Sequence, residues 1–157
     1  LVKLAQRAEK FTLITQNVDG LHDRAGSTGI LKVHGDIWDL RCMSCAYSAV
    51  DLRVPLPSLP PVCPECGSHL RPGVVWFGEA LPDRVWEQAV AAASHADLML
   101  VIGTSAAVYP AASLAPLAQR AGAKIIEINI AESGLSSVAD IALRGPSGEL
   151  LPELIPT

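Results

Sequence analysis

"LMLVIGTS", residues 98–105, decides the fold. Six apolar or glycine residues run without interruption into two small hydroxyl residues. An apolar run of this length predicts a strand buried on both faces of a parallel sheet. Its neighbours agree. "DRVWEQAVAAASH", residues 83–95, has the composition of a helix with Asp83 near its N-terminus. "YPAASLAPLAQRAG", residues 109–122, predicts a second helix that stops at Gly122, a residue suited to the C′ position. "KIIEINI", residues 124–130, is the next apolar strand. Strand, helix and strand in alternation predict an α/β domain with right-handed crossovers.

Further upstream, residues 1–10 suit an amphipathic helix with Leu1, Leu4, Ala5 and Ala8 on one face. "FTLIT", residues 11–15, and "ILKVHG", residues 30–35, are two short strands, separated by a Gly-punctuated, helix-like turn over residues 20–30. Residues 40–72 have a different texture: all four cysteines and several prolines, as in "VPLPSLPPVCPECG". A module so rich in loops has little core of its own, which is where a metal is most needed. The spacing is C-x2-C, seventeen residues, then C-x2-C. It matches a four-thiolate zinc site and makes Cys42, Cys45, Cys63 and Cys66 the expected ligands of a closed, structural Zn2+. Two disulfides or a redox C-x-x-C are the alternatives, and disulfides would require an oxidising compartment.

Bulk properties narrow the class. A chain of 157 residues is about one domain, and with half of them apolar it can bury a core. The formal net charge of −4 disfavours nucleic acid as a partner. No apolar run approaches the length of a membrane span. The start, "LVKLAQRAEKF", has no apolar h-region or cleavage site of a signal peptide, and no initiator Met. The expectation is a cytoplasmic protein whose chain begins inside a larger one. No internal repeat or low-complexity tract is present.

Three strands end in the same way: "FTLIT" in "QNVDG", "LMLVIG" in "TS" and "KIIEI" in "NI". In open α/β sheets, ligands bind outside the carboxyl ends of the strands. Gln16, Asn17, Asp19, Gly103, Thr104, Ser105 and Asn129 are therefore expected to line one crevice. Thr104 and Ser105 suit phosphate at a strand-to-helix turn. Asn and Asp side chains suit ribose hydroxyls. Each segment alone is equally explained by turns and helix caps; the three together favour a nucleotide. His34 follows a strand and precedes Gly35, and an imidazole there can serve as a base near neutral pH, although a lone His is commonly a structural donor. His22, His69 and His95 take that structural assignment. "RPGVVWFGE", residues 71–79, is either a core strand or an exposed edge that pairs with an extended peptide.

Taken together, "TQNVDGLH", "VHG", the two C-x2-C pairs, "RPGVVWFGE", "GTS" and "EINI" resemble the sirtuins, NAD-dependent protein-lysine deacylases. "VVWFGE" and "VYPAA" are similar to the bacterial and mitochondrial branch that includes desuccinylases. The resemblance implies a Rossmann-like parallel sheet with an inserted small zinc-binding module. Residues 1–39 and 73–157 would form the NAD-binding domain and residues 40–72 the zinc module. It implies His34 as the general base, with Asn17 and Asp19 beside it in catalysis. Gln16, Asn17, Val18 and Asp19 would meet the nicotinamide ribose, and Gly103, Thr104 and Ser105 the phosphates or adjacent ribose. Asn129, Ile130 and Ala131 would meet the adenosine ribose, and Ser147 the adenine. Val75, Trp76 and Phe77 would line the acyl-lysine tunnel and pair with the substrate backbone, so acyl-lysine peptides or proteins are the implied partners. The acyl group would be acetyl, with succinyl and malonyl as further candidates.

The resemblance lacks its upstream part. The family's Gly-rich first βα turn, its "PxFR" signature and the Tyr-x-x-Arg segment of acidic-acyl selectivity are not in this sequence. The expectation is a chain matching the C-terminal two-thirds of a sirtuin, weak or inactive by itself. Rival functions are protein ADP-ribosylation on the same scaffold, a nicotinamide dehydrogenase, and a non-catalytic zinc-ribbon module. The dehydrogenase would need a G-x-G-x-x-G turn, which is not in this sequence.

Overall fold

The computed structural model describes residues 1–155, so Pro156 and Thr157, the last two residues of the expected NAD-binding domain, lie outside the described residues. The chain forms two compact units, one of residues 1–12 and 86–157 and the other of residues 13–85. Helix α1 (Val2–Arg7) and most of helix α3 (Asp83–Ser94) belong to the first. The second begins with β1 (Ile14–Thr15), α2 (Leu21–Arg24) and β2 (Leu31–Lys32).

In the first unit, β6 (Leu98–Ile102), β7 (Lys124–Asn129) and β8 (Ile141–Arg144) form one parallel sheet in that order. Between β6 and β7 runs α4 (Leu114–Arg120), preceded by a 3-10 turn, Ala111–Ser113. Leu114, Ala115 and Ala118 of α4 are buried, and the helix packs on β7 and β6. Leu114 and Ala115 each lie about one turn before Ala118, and the three make that stripe. Ile125 and Ile128 of β7 are sealed from solvent, each burial contributing about 1.5–3 kcal/mol. Gly122 ends α4 as the sequence predicts. The N–H of Ala123 donates to Ala118 O at 3.0 Å and that of Gly122 to Gln119 O at 3.0 Å, the paired bonds of a Schellman cap.

One expectation holds only in part: Val101 of β6 is buried, whereas Leu98 at the start of the strand is 52% exposed. An apolar run reports what a strand could bury, not whether anything lies against each face.

In the second unit, β1 and β2 pair in parallel. β3 (Gly35–Cys42) then forms an antiparallel sheet with β4 (Ser48–Val50) on one side and β5 (Leu70–Val74) on the other. A Cβ on Gly35 would lie 1.9 Å from the carbonyl oxygen of Gly73, and Gly35 has φ +77°. Only glycine lets β3 start this close to β5, directly after His34. The loop-rich part between β3 and β5 has a small core of Leu40, Cys63 and Leu70, with Tyr47 and Leu56 against it. Among the described residues, no helix is long and apolar enough to cross a membrane.

Candidate functional site

The four thiols gather at the base of the antiparallel sheet. Cys42 ends β3, Cys45 follows in the turn to β4, and Cys63 and Cys66 lie in the turn before β5. Their sulfur atoms all lie within 4.8 Å of one another. Cys42 Sγ is 3.5 Å from Cys66 Sγ, and Cys45 Sγ is 3.7 Å from Cys63 Sγ. A tetrahedron with Zn–S bonds of about 2.3 Å has edges of about 3.8 Å. The cluster fits a zinc ion, and these distances are far beyond the roughly 2.05 Å of a disulfide. The electrostatics point the same way. The Ser44 backbone N–H holds the Cys42 thiol down to about 6, despite some burial. At Cys45 the Tyr47 N–H favours the thiolate, but burial and the neighbouring Cys42, Cys66 and Cys63 sulfurs push it up to about 12. One thiolate therefore opposes the next, and a dication removes that conflict.

Parallel pairing sorts the other expected residues by strand end. In the first unit, Ile102 faces Ile128 and Asn129 faces Arg144 in register. Gly103–Ser105, Asn129–Ala131 and Gly145–Ser147 thus leave the sheet at one carboxyl edge. Asn129 ties that edge together: its Nδ2 donates to Thr104 O at 2.7 Å, and its Oδ1 accepts from the Ile130 N–H at 2.9 Å. Thr104 Oγ1 accepts from Ala106 N–H at 3.2 Å, and Gly103 N–H donates to Ile128 O at 2.9 Å. Ile130 and Ala131 are exposed, and Ser147 opens helix α5 (Ser147–Leu154).

In the second unit, β1 and β2 deliver Gln16–Asp19 and His34 to a common carboxyl edge. His34 Nδ1 lies 3.1 Å from Gln16 O. A carbonyl can only accept, so Nδ1 carries the proton and the lone pair of neutral His34 is on Nε2. The ring is half-buried. Asp19 Oδ1 accepts from Leu21 N–H at 2.9 Å, and Asn17 is exposed.

The segment after β5 turns outward. Val75 N–H donates to His34 O at 2.9 Å, after which Trp76 is 54% and Phe77 99% exposed. The core-strand alternative for Trp76 therefore fails. The exposed turn is stiffened by Glu79, whose carboxylate accepts from the Trp76 N–H at 3.0 Å, Arg71 Nη2 at 2.5 Å and Arg41 Nη2 at 2.9 Å. The Trp76 N–H and then Arg71 hold the Glu79 carboxyl below its ordinary range. Arg71 also lies 4.1 Å from the centroid of the Trp76 ring, a cation–π contact.

Sequence reasoning missed Glu79 and Arg71 as supports of that turn. It also missed Glu127, a carboxylate buried in β7 and bonded to Ser133 Oγ, Ser136 Oγ and Arg144. A charged residue inside the apolar run "KIIEINI" was the available signal for Glu127.

An α/β chain with parallel strand ends and a four-cysteine module is the class these features define. Residues 1–110 match the model of the Sir2 family, and the chain belongs to that family. It is 50% identical over 143 residues to the NAD-dependent protein deacylase 2 of Pyrobaculum aerophilum, covering 91% of this chain and 57% of that protein. The chain thus spans under two thirds of the length of the curated relatives it matches. A solved Sir2 homolog–NAD complex superposes with a TM-score of 0.93 at 46% identity, over 98% of this chain and 60% of that one. A Sir2–p53 peptide–NAD+ structure does so with a TM-score of 0.90 at 33% identity, over 98% and 65%.

Proposed function

We propose that the protein removes acyl groups from protein lysines at the expense of NAD, giving nicotinamide and O-acyl-ADP-ribose. The observation that carries this is the His34 ring: its Nδ1–H is committed to the Gln16 carbonyl, so Nε2 is available as a base beside the "QNVD" turn. Membership of the Sir2 family and the likeness to a Sir2 homolog–NAD complex support the choice of co-substrate.

In this scheme the acyl amide oxygen attacks the ribose carbon that bears nicotinamide, and the C–N bond to nicotinamide breaks. His34 Nε2 then takes the proton of a ribose hydroxyl, and that oxygen attacks the imidate carbon. Water completes the release of free lysine. Gln16, Val18 and the catalytic pair Asn17 and Asp19 take the nicotinamide ribose, and Gly103, Thr104 and Ser105 the phosphates. Asn129, Ile130 and Ala131 take the adenosine ribose and Ser147 the adenine. Val75, Trp76 and Phe77 take the acyl-lysine peptide, for which the exposed turn held by Glu79 is the support. By role, residues 1–39 and 73–157 form the NAD-binding part and residues 40–72 the zinc module. When bound, zinc supplies a cross-link between the two cysteine turns. The reduced thiols this needs suit a cytoplasmic protein.

The test is nicotinamide release from NAD by the complete gene product with an acetyl-lysine peptide. His34→Ala lowers turnover about 10²–10⁴-fold, the scale of a lost general base. Near-native turnover in that variant at neutral pH refutes the assignment. NADH in place of nicotinamide would instead identify a dehydrogenase.

A further inference from the structure

The turn that follows β1 is bonded residue by residue to the segment that carries His34. Val33 N–H donates to Thr15 O at 3.1 Å and His34 Nδ1–H to Gln16 O at 3.1 Å. Ile37 N–H donates to Val18 O at 3.0 Å, and the indole Nε1–H of Trp38 to Asp19 O at 2.9 Å. Four carbonyls of residues 15–19 are thereby fixed, around exposed Asn17. Trp38 supplies the last of these bonds through its side chain, and its own place is set. Buried Asp36 accepts the Trp38 backbone N–H on Oδ1 at 2.9 Å, and Lys32 holds the same carboxylate through Oδ2 at 2.5 Å. Lys32 also pairs with Asp23 of α2 at 2.9 Å. The ring then sits on Gly20, where a Cβ would come within 2.8 Å of both indole Cδ1 and Nε1. Gly20 has φ +71°, so the turn closes there in a conformation and at a distance that suit glycine alone.

We propose that Trp38 is a positioning residue: its indole N–H and ring, seated on Gly20, hold the Asn17–Asp19 turn in one conformation against His34. This rests on the deacylase reading above, and it assigns Trp38 no contact with the substrate. The Trp38 bond is the one that fixes the Asp19 carbonyl, so its loss loosens the far end of the turn, and small misplacements of reacting groups are costly in rate.

A double-mutant cycle in the complete gene product tests it. Trp38→Phe keeps a ring over Gly20 and removes the N–H. It lowers kcat about tenfold, the scale of one lost hydrogen bond, and leaves the peptide KM within about twofold. In an Asn17→Ala background the same change costs less than about twofold, because coupled residues are not additive. An equal loss in both backgrounds, or no loss in either, overturns the proposal. Zinc content and the melting temperature check that each variant folds. Should Trp38→Phe not fold, the native protein decides: adding NAD shifts the Trp38 indole 1H–15N resonance, and an unmoved resonance at saturating NAD overturns the proposal. The deacylase reading fails separately, when the native protein itself releases no nicotinamide.

Discussion

The β6–β7–β8 sheet and the four-cysteine module reach a fixed shape by opposite means. The sheet is held by apolar burial: Val101, Ile125 and Ile128 lie within it, and Leu114 and Ala118 of α4 are buried where the helix packs on it. The module buries three side chains, Leu40, Cys63 and Leu70, one of them a thiol. Several of its larger apolar residues, Leu52, Val54 and Leu59, face solvent. Burial of this size does not offset the entropy of ordering some thirty residues at about 1–2 kcal/mol each. The sulfur geometry indicates what does. A metal that binds only the folded module makes metal affinity and folding one equilibrium. The sheet is packed by its own side chains, whereas the module places four thiols where an ion can join them.

The sharpest way to break this contrast is to remove one ligand. Cys63→Ser abolishes stoichiometric zinc and unfolds residues 40–72, at a cost of several kcal/mol. Hydrogen exchange should show the module's amides losing protection while those of Ile125 and Ile128 keep it. Retention of about one zinc per chain in the variant, or equal loss in both regions, would refute the contrast.

Next in size is a cavity in the sheet. Ile128→Ala costs about 2–5 kcal/mol by denaturant unfolding, as for other buried aliphatic truncations. Zinc content should remain at one per chain, and a variant that loses its metal would show the two regions to be energetically joined.

A smaller effect is expected at Glu127, the buried charge of β7. Burial opposes ionisation of Glu127, but Ser133, Ser136 and Arg144 outweigh it and hold its carboxyl below the ordinary range. A depressed folded value gives stability that is present above the unfolded value, about 4.3. That stability is lost as pH falls through the lower folded value. Glu127→Gln removes about 1–3 kcal/mol at pH 7, the cost of unsatisfied buried partners. It also flattens the acid limb of the stability curve, and an unchanged acid limb would contradict the account.

The smallest effect on folding comes from the exposed turn. Glu79→Gln should barely move the melting temperature, since exposed ion pairs add little. It should raise the peptide KM roughly three- to tenfold, the range of one or two lost hydrogen bonds, with the NAD KM unchanged. A rise in the NAD KM instead would place Glu79 in a different role.

Much of the molecule was legible in the sequence because its signals are local. The C-x2-C pairs carry their own spacing, and the structure brings Cys42, Cys45, Cys63 and Cys66 together. "LMLVIG", "KIIEINI" and Gly122 marked two strands and a helix end correctly. The losses came where a tertiary partner decides. "ILKVHG" shrinks to Leu31–Lys32, because Gly35 already begins β3. Leu98 is exposed although its run is apolar, because burial depends on what packs against a strand's faces, which the run itself does not report. Trp76 is held outside by Arg71 and Glu79, whose approach from five residues before and three after no periodicity reports. Trp38 and Gly20 are eighteen residues apart, and neither reveals the other until the turn closes.

The deacylation proposed above, in which NAD is consumed to take an acyl group from lysine, can be followed by mass spectrometry of an acetyl-lysine peptide after incubation with NAD and the complete gene product. The account predicts that the peptide loses its acetyl group, with one nicotinamide and one O-acetyl-ADP-ribose formed per peptide, and that His34→Ala suppresses all three. A peptide that gains the mass of ADP-ribose, or keeps its acetyl group while NAD is unchanged, would contradict it.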